Sequence, residues 1–246
     1  MDIVLAAYHD AGCGVLEHVA RRSDVGRLAV YTHAPPAGVA DVREVARRLE
    51  VDWTTDRLTA ASLPFRPDVI ASVYYRHIIG GDVIRACDGR IFNAHPSLLP
   101  RHRGCSSIPW AIIEGDSLTG ITFHYIDEGI DTGRILLQSV LPISPDETQA
   151  TLYARAAERV VEVWPAALEL VLAGFRGVEQ DGEVCYHKRG APHDGEIDDA
   201  WPEDYVERFI RAMVYPPYPP ARYRGQDVTS LRQFLAVRAK ADEASD

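Results

Sequence analysis

Asn93 and His95 stand two residues apart at the end of a short strand predicted over Arg90–Asn93, in the run NAHPSLLPRHRG. On extended chain, a spacing of two points both side chains to the same side. The imidazole can take or relay a proton near neutral pH, and the amide can donate to a developing oxyanion. Further on, the run DEGIDTG (residues 127–133) interleaves carboxylates with glycines, a tight loop that presents an acid from a firm base. Asp131 in that loop would orient His95 and favour its charged form. Pro96 and Pro100 stiffen the segment after His95. Taken singly, His95 also fits a loop histidine bonded locally, and Asp131 a turn residue bonded to its own backbone. His102, His124, Tyr74 and Tyr75 also fit wall or core positions, and Cys13 and Cys105 small packing residues. The pattern implies an α/β protein with a polar site near 93–103 and 131, and names no reaction.

Such a site needs a sheet whose strand ends converge. Apolar runs at Asp2–Tyr8, Leu28–Thr32 and Val69–Tyr75 predict buried strands. Helical spacing follows over Val15–Arg22 and Val39–Leu49. Strands alternating with helices imply parallel βαβ units. Trp110–Glu114 predicts a helix ending at Gly115, and Gly120–Tyr125 with Ile135–Leu141 predicts a hairpin. Thr151–Ala173 is the longest amphipathic run and stops at Gly174. The fold expected is therefore α/β, with a Rossmann-like core of mostly parallel sheet over residues 1–178. A small C-terminal appendage is expected over 179–246, ending in a frayed tail. A predicted turn at Ala11–Gly14 gives Gly12-x-Gly14, but Glu17 fills the third glycine position of a dinucleotide fingerprint.

The 246 residues carry 26 basic and 36 acidic side chains, a formal charge of −10. That balance argues against an extended nucleic-acid surface. No apolar run is long enough to span a bilayer. The four cysteines (Cys13, Cys87, Cys105 and Cys185) show no CxxC spacing, so reduced thiols in a cytoplasmic protein are expected, with no metal site.

The runs NAHPSLLPRHRG and DEGIDTGRI together resemble the paired signatures of the folate-dependent formyltransferases. That family includes methionyl-tRNA, glycinamide ribonucleotide and sugar N-formyltransferases. The runs AYHDAGCG, VYTH and DVIASVYYRHIIG are most similar to the domain acting on UDP-4-amino-4-deoxyarabinose. KRGAPHDGEID and YPPYPPA resemble the later region of sugar N-formyltransferases, with Pro220 standing where the family usually has glycine. The resemblance implies a catalytic triad of Asn93, His95 and Asp131, with N10-formyltetrahydrofolate as cosubstrate and no metal. It places the pterin against Tyr75, Arg76, His77, Ile78, Asp127 and Gly129. It places the acceptor against Tyr8, Arg76, Ser97 and Arg103. The acceptor implied is a nucleotide-linked 3- or 4-amino sugar, with no nucleic acid or membrane partner. A homodimer pairing through C-terminal regions is also implied, and the run Tyr215–Ala221 fits either the border of that interface or a loop within the monomer. O-antigen or lipopolysaccharide synthesis is the implied setting. The alternatives are a methionyl-tRNA or glycinamide ribonucleotide formyltransferase, or a binding protein on the same fold.

Overall fold

A computed structural model describes residues 1–243. β1 (Asp2–Ala7) is buried at every position after Asp2, as a central strand covered on both faces must be. α1 (His9–Ala20) begins directly behind it. Gly12 and Gly14 therefore lie inside the helix, not in a turn before it, which removes the dinucleotide-loop reading. A Cβ on Gly12 would meet Ala7 Cβ at 3.0 Å, and one on Gly14 would meet Val161 Cγ2 at 2.5 Å. The two glycines let α1 lie close against the sheet and against the long helix α5.

The chain continues through β2 (Arg27–Tyr31), α2 (Val42–Arg48), β3 (Asp52–Thr54), β4 (Val69–Val73), α3 (Gly81–Ala86), β5 (Ile91–His95) and β6 (Arg103–Gly104). The Asp41 side chain caps α2 by accepting from the Arg43 N–H. α4 (Ser107–Ile113), β7 (Leu118–Tyr125), β8 (Ile135–Pro142) and α5 (Gln149–Leu172) complete the core. β9 (Tyr186–His187), α6 (Glu203–Ala212), β10 (Ala221–Tyr223), β11 (Gln226–Val228) and α7 (Leu231–Glu243) follow.

Seven strands form one sheet in the order β3-β2-β1-β4-β5-β7-β8. The first five are parallel, and β7 and β8 add an antiparallel hairpin at one end. This is the expected α/β architecture. α5 starts at a capping box between Thr148 and Thr151, and its Trp164, Leu168 and Val171 are buried. Val206, Phe209 and Ile210 of α6 belong to the same apolar cluster as Leu5, Phe92 and Trp164, so the later elements share the sheet's core. The segment expected to fray is helical as far as Glu243, because Phe234 is fully buried edge-on to Tyr223 at 4.8 Å. The rest of the expected tail, 244–246, lies outside the described residues. Among the described residues no helix is long and apolar enough to cross a membrane.

Candidate active site

The parallel strands end along one edge of the sheet, where Tyr8 follows β1, Tyr74 follows β4 and His95 closes β5. Antiparallel pairing sets Asn93 opposite His124 and His95 opposite Thr122. These four side chains consequently share one face. His95 is only 4% exposed, and its Nε2–H donates to the His102 carbonyl at 2.8 Å. That bond fixes the ring, and the neutral imidazole keeps its lone pair at Nδ1. Asp131 Oδ2 stands 3.5 Å from that Nδ1.

Asp131 adopts a left-handed backbone (φ 53°) at the turn that aims it inward. Its Oδ2 accepts from the Gly104 N–H at 2.8 Å, and its Oδ1 lies 3.5 Å from His124 Nε2. His124 donates Nδ1–H to the Tyr125 carbonyl at 2.8 Å, so its Nε2 accepts from Asn93 Nδ2 at 3.3 Å. Asn93, His124, Asp131 and His95 thus close a ring of polar groups. His124 is the member that sequence reasoning left as a wall residue; only the strand register reveals it.

Burial sets the resting charges. It is the largest influence on His95 and holds its pKa below the usual 6.5, against the pull of the Asp131 carboxylate toward the imidazolium. Burial also works to raise Asp131. His95, His124 and the Gly104 N–H together outweigh it, and the carboxyl sits well below its usual 3.8. The pair rests as a neutral imidazole beside a carboxylate, ready to accept one proton.

The remaining sequence-predicted residues fall into two groups. Asp127 Oδ1 accepts from the Gly129 N–H at 3.0 Å and from the Thr132 hydroxyl at 2.6 Å, fastening the loop that carries Asp131. Arg103 directs Nε and Nη2 at Gln180 Oε1 (3.1 and 2.6 Å). Gln180 in turn donates to the carbonyls of Asp131 and Gly133, both at 2.8 Å. Ser97 is fully buried and donates to the Arg101 carbonyl at 2.7 Å. These side chains hold the site's frame. Tyr8, Tyr75, Arg76, His77 and Ile78 instead lie along the open edge. The Arg76 guanidinium lies 6.0 Å over the Tyr8 ring, His77 meets Tyr75 edge-on at 5.3 Å, and Ile78 is 69% exposed. The Tyr75 hydroxyl accepts from the Leu58 N–H at 3.1 Å.

Gly133 marks how tightly the Asp131 loop is closed, since a Cβ there would lie 1.8 Å from the Tyr125 carbonyl oxygen. Gly133→Ala should cost about 1–3 kcal/mol of stability, the usual penalty for forcing atoms into packed structure. A chemical denaturation midpoint equal to wild type would contradict this.

Beside the polar ring opens a cleft of about 520 Å³, walled by Tyr8, Pro96, Gln149, Tyr153, Tyr215 and Tyr218 among others. Asn93, His95 and Asp131 do not line it, but Pro96 directly follows His95, so the cleft adjoins the ring of polar groups. The Tyr215 hydroxyl donates to His9 Nε2 at 2.8 Å, and the rings of Tyr215 and Tyr218 stack at 5.3 Å. The proline-rich run is thus wall of this cleft. Nearby, the Tyr74 hydroxyl and both ring nitrogens of His33 are buried without a hydrogen-bond partner in the protein. Orphaned polar groups at a strand-end edge fit a site shaped for a polar ligand.

Over residues 15–168 the sequence matches the family profile described as formyl transferase. The chain belongs to the formyl transferase family. The GDP-perosamine N-formyltransferases of Brucella melitensis and Brucella abortus are each 35% identical to it over 203 residues, covering 80% of this chain and 78% of theirs. The fold of this formyl transferase is shared with WlaRD, a sugar 3N-formyl transferase solved in the presence of dTDP and 5-N-formyl-THF. The TM-score is 0.79 at 19% identity, over 93% of this chain and 85% of that one. An N-formyltransferase from Helicobacter canadensis, in complex with folinic acid and dTDP-3-aminofucose, superposes with a TM-score of 0.78 at 18% identity. That match covers 92% of this chain and 86% of its counterpart.

Proposed function

We propose that this chain transfers the formyl group of N10-formyltetrahydrofolate to the amine of a nucleotide-linked amino sugar, with GDP-perosamine the first acceptor to test. The observation that carries the reading is the set of His95: a buried imidazole whose free Nδ1 faces a carboxylate, one residue from an aromatic cleft. The Brucella relatives, similar over most of both chains, supply the acceptor class.

Asn93, His95 and Asp131 divide the work. The second N–H of the Asn93 amide, the one not given to His124, donates to the oxyanion that forms as the amine attacks the formyl carbon. His95 Nδ1 takes the proton that the amine loses, directly or through a water, and Asp131 pairs with the resulting imidazolium. His95 then returns that proton to N10 as the carbon–nitrogen bond to the folate breaks. The new amide and tetrahydrofolate leave, and the enzyme is restored. We place the open edge at Tyr75–Ile78 on the folate side and the cleft on the acceptor side. We assign the reaction to the cytoplasm, where folate and nucleotide-sugar cosubstrates are made. A homodimer belongs to the same reading, and a solution mass measurement checks it.

The test is product mass after incubating the protein with N10-formyltetrahydrofolate and GDP-, UDP- or dTDP-linked 3- and 4-amino sugars. Gain of one formyl group on one sugar is expected. Turnover only on methionyl-tRNA or glycinamide ribonucleotide would overturn the acceptor class. Tyr218, in the cleft wall and stacked on Tyr215, gives a finer check. Tyr218→Ala removes an aromatic contact of about 0.5–1.5 kcal/mol, so the acceptor's KM should rise roughly 2- to 10-fold. The KM for the folate should stay unchanged, and a change in the folate KM alone would reverse the assignment of the two sides.

A further inference from the structure

At His102, whose carbonyl holds His95, three ligand-type side chains meet. Cys185 and His187 flank Tyr186 on extended chain, and so face the same way. β9 pairs with β6 in parallel, Arg103 against Tyr186 and Gly104 against His187, which carries both side chains to His102. His102 Nδ1 lies 2.9 Å from His187 Nε2 and 3.6 Å from Cys185 Sγ. All three ligand atoms lie within 4.8 Å of one another.

The surroundings of the cluster are those of a metal centre. The other nitrogen of His102, Nε2, donates to Asp116 Oδ2 at 2.8 Å, which leaves the Nδ1 lone pair directed at the cluster. Arg101 grips Asp116 through Nε and Nη2, at 3.1 and 2.7 Å. A carboxylate behind the ligating imidazole is the usual outer partner of a metal-bound histidine. The His102 backbone N–H points at Cys185 Sγ from 2.9 Å and fixes where the sulfur sits. Trp110 lies parallel to the His187 ring at 4.5 Å and holds it in place. His102 itself is 2% exposed and sits in the left-handed region at φ 57°, a conformation that costs energy and is kept where the surroundings demand it. Zinc bonds of about 2.0–2.1 Å to nitrogen and about 2.3 Å to sulfur put tetrahedral ligand atoms about 3.3 Å (N···N) and about 3.6 Å (N···S) apart. The sulfur contact already matches, and the two nitrogens need to part by about 0.4 Å.

We propose that His102, Cys185 and His187 bind one zinc-class transition-metal ion, with water as the fourth ligand. The ion clips the segment after residue 179 to the loop whose His102 carbonyl holds His95. On binding, the Cys185 thiol gives its proton to solvent, and the His187 ring carries its hydrogen on Nδ1 so that Nε2 can coordinate. No electron changes hands. The site is structural and independent of which amine is formylated. Cysteine spacing alone implies no metal site here, because Cys185 and His187 lie more than eighty positions from His102 and meet it only in the fold.

The full chain, stripped with a chelator and equilibrated with limiting Zn²⁺, should retain one ion as counted by plasma mass spectrometry. With Co²⁺ it should show a thiolate-to-cobalt charge-transfer band and the visible bands of a tetrahedral centre. Cys185→Ser should abolish the charge-transfer band, and His187→Ala should lose the ion. Asp116→Asn should bind about 10- to 100-fold more weakly. Cys105→Ser, which changes a half-buried thiol outside the cluster, should keep both ion and band. The cobalt spectrum of the unaltered protein needs no variant to fold. Failure of that protein to retain an ion, or equal retention by Cys185→Ser and His187→Ala, would overturn the proposal. Either result leaves formyl transfer untouched.

Discussion

His95→Ala should lower kcat by roughly 10²- to 10⁴-fold, the range that a positioned general base contributes. The KM values for both substrates should change little, because His95 is buried and does not line the cleft. The variant leaves the His102 carbonyl and the Asp131 carboxylate each short of a partner. Some stability is therefore lost, about 1–3 kcal/mol. Circular dichroism and a thermal melt separate that loss from the catalytic one. A folded His95→Ala protein with near-normal turnover would remove His95 from the mechanism. Loss of activity through a raised KM, with kcat intact, would make it a binding residue.

The site was legible where chemistry and local pattern coincide. Asn93 and His95 are placed by strand alternation alone, and the glycines around Asp131 mark a tight loop. The long periodicity of α5 and the apolar runs of β1 and β4 likewise survive in the structure. What escaped depends on contacts far along the chain. His124 enters the ring only through the pairing of β5 with β7, and nothing in its own neighbourhood distinguishes it from a buried strand residue. Arg103 looks like an anion contact until Gln180, 77 positions away, is found across from it. β3 and α3 are too short, at three and six residues, for a periodic signal. α1 begins six residues before the start that its apolar spacing predicts, and Gly12 and Gly14 permit close helix packing there and not a turn. The cleft could not be anticipated either, since its walls come from six separate stretches of chain.

Asp131→Asn tests the electrostatic half of the mechanism with little change of shape. The amide can still accept from the Gly104 N–H, but it no longer pairs with a protonated His95. A nearby opposite charge shifts a pKa by about 1–3 units, so the plateau kcat should fall about 10- to 10³-fold. The pH profile adds a sign. Burial holds the His95 pKa below 6.5 and His124 pushes the same way, while the Asp131 carboxylate, and more weakly the His102 carbonyl, oppose them. Activity should therefore rise with pH through an acidic limb below 6.5, as Nδ1 loses its proton. Without the carboxylate only the His102 carbonyl still favours the imidazolium, against burial and His124, and that limb should move to still lower pH. The acceptor amine contributes its own limb, which belongs to the substrate and should be the same in both proteins. A limb moving upward, or a plateau equal to wild type, would show that Asp131 does not act on His95 by charge. If the limb moved down while the plateau held, Asp131 would tune the resting imidazole without stabilising the step in which it is protonated.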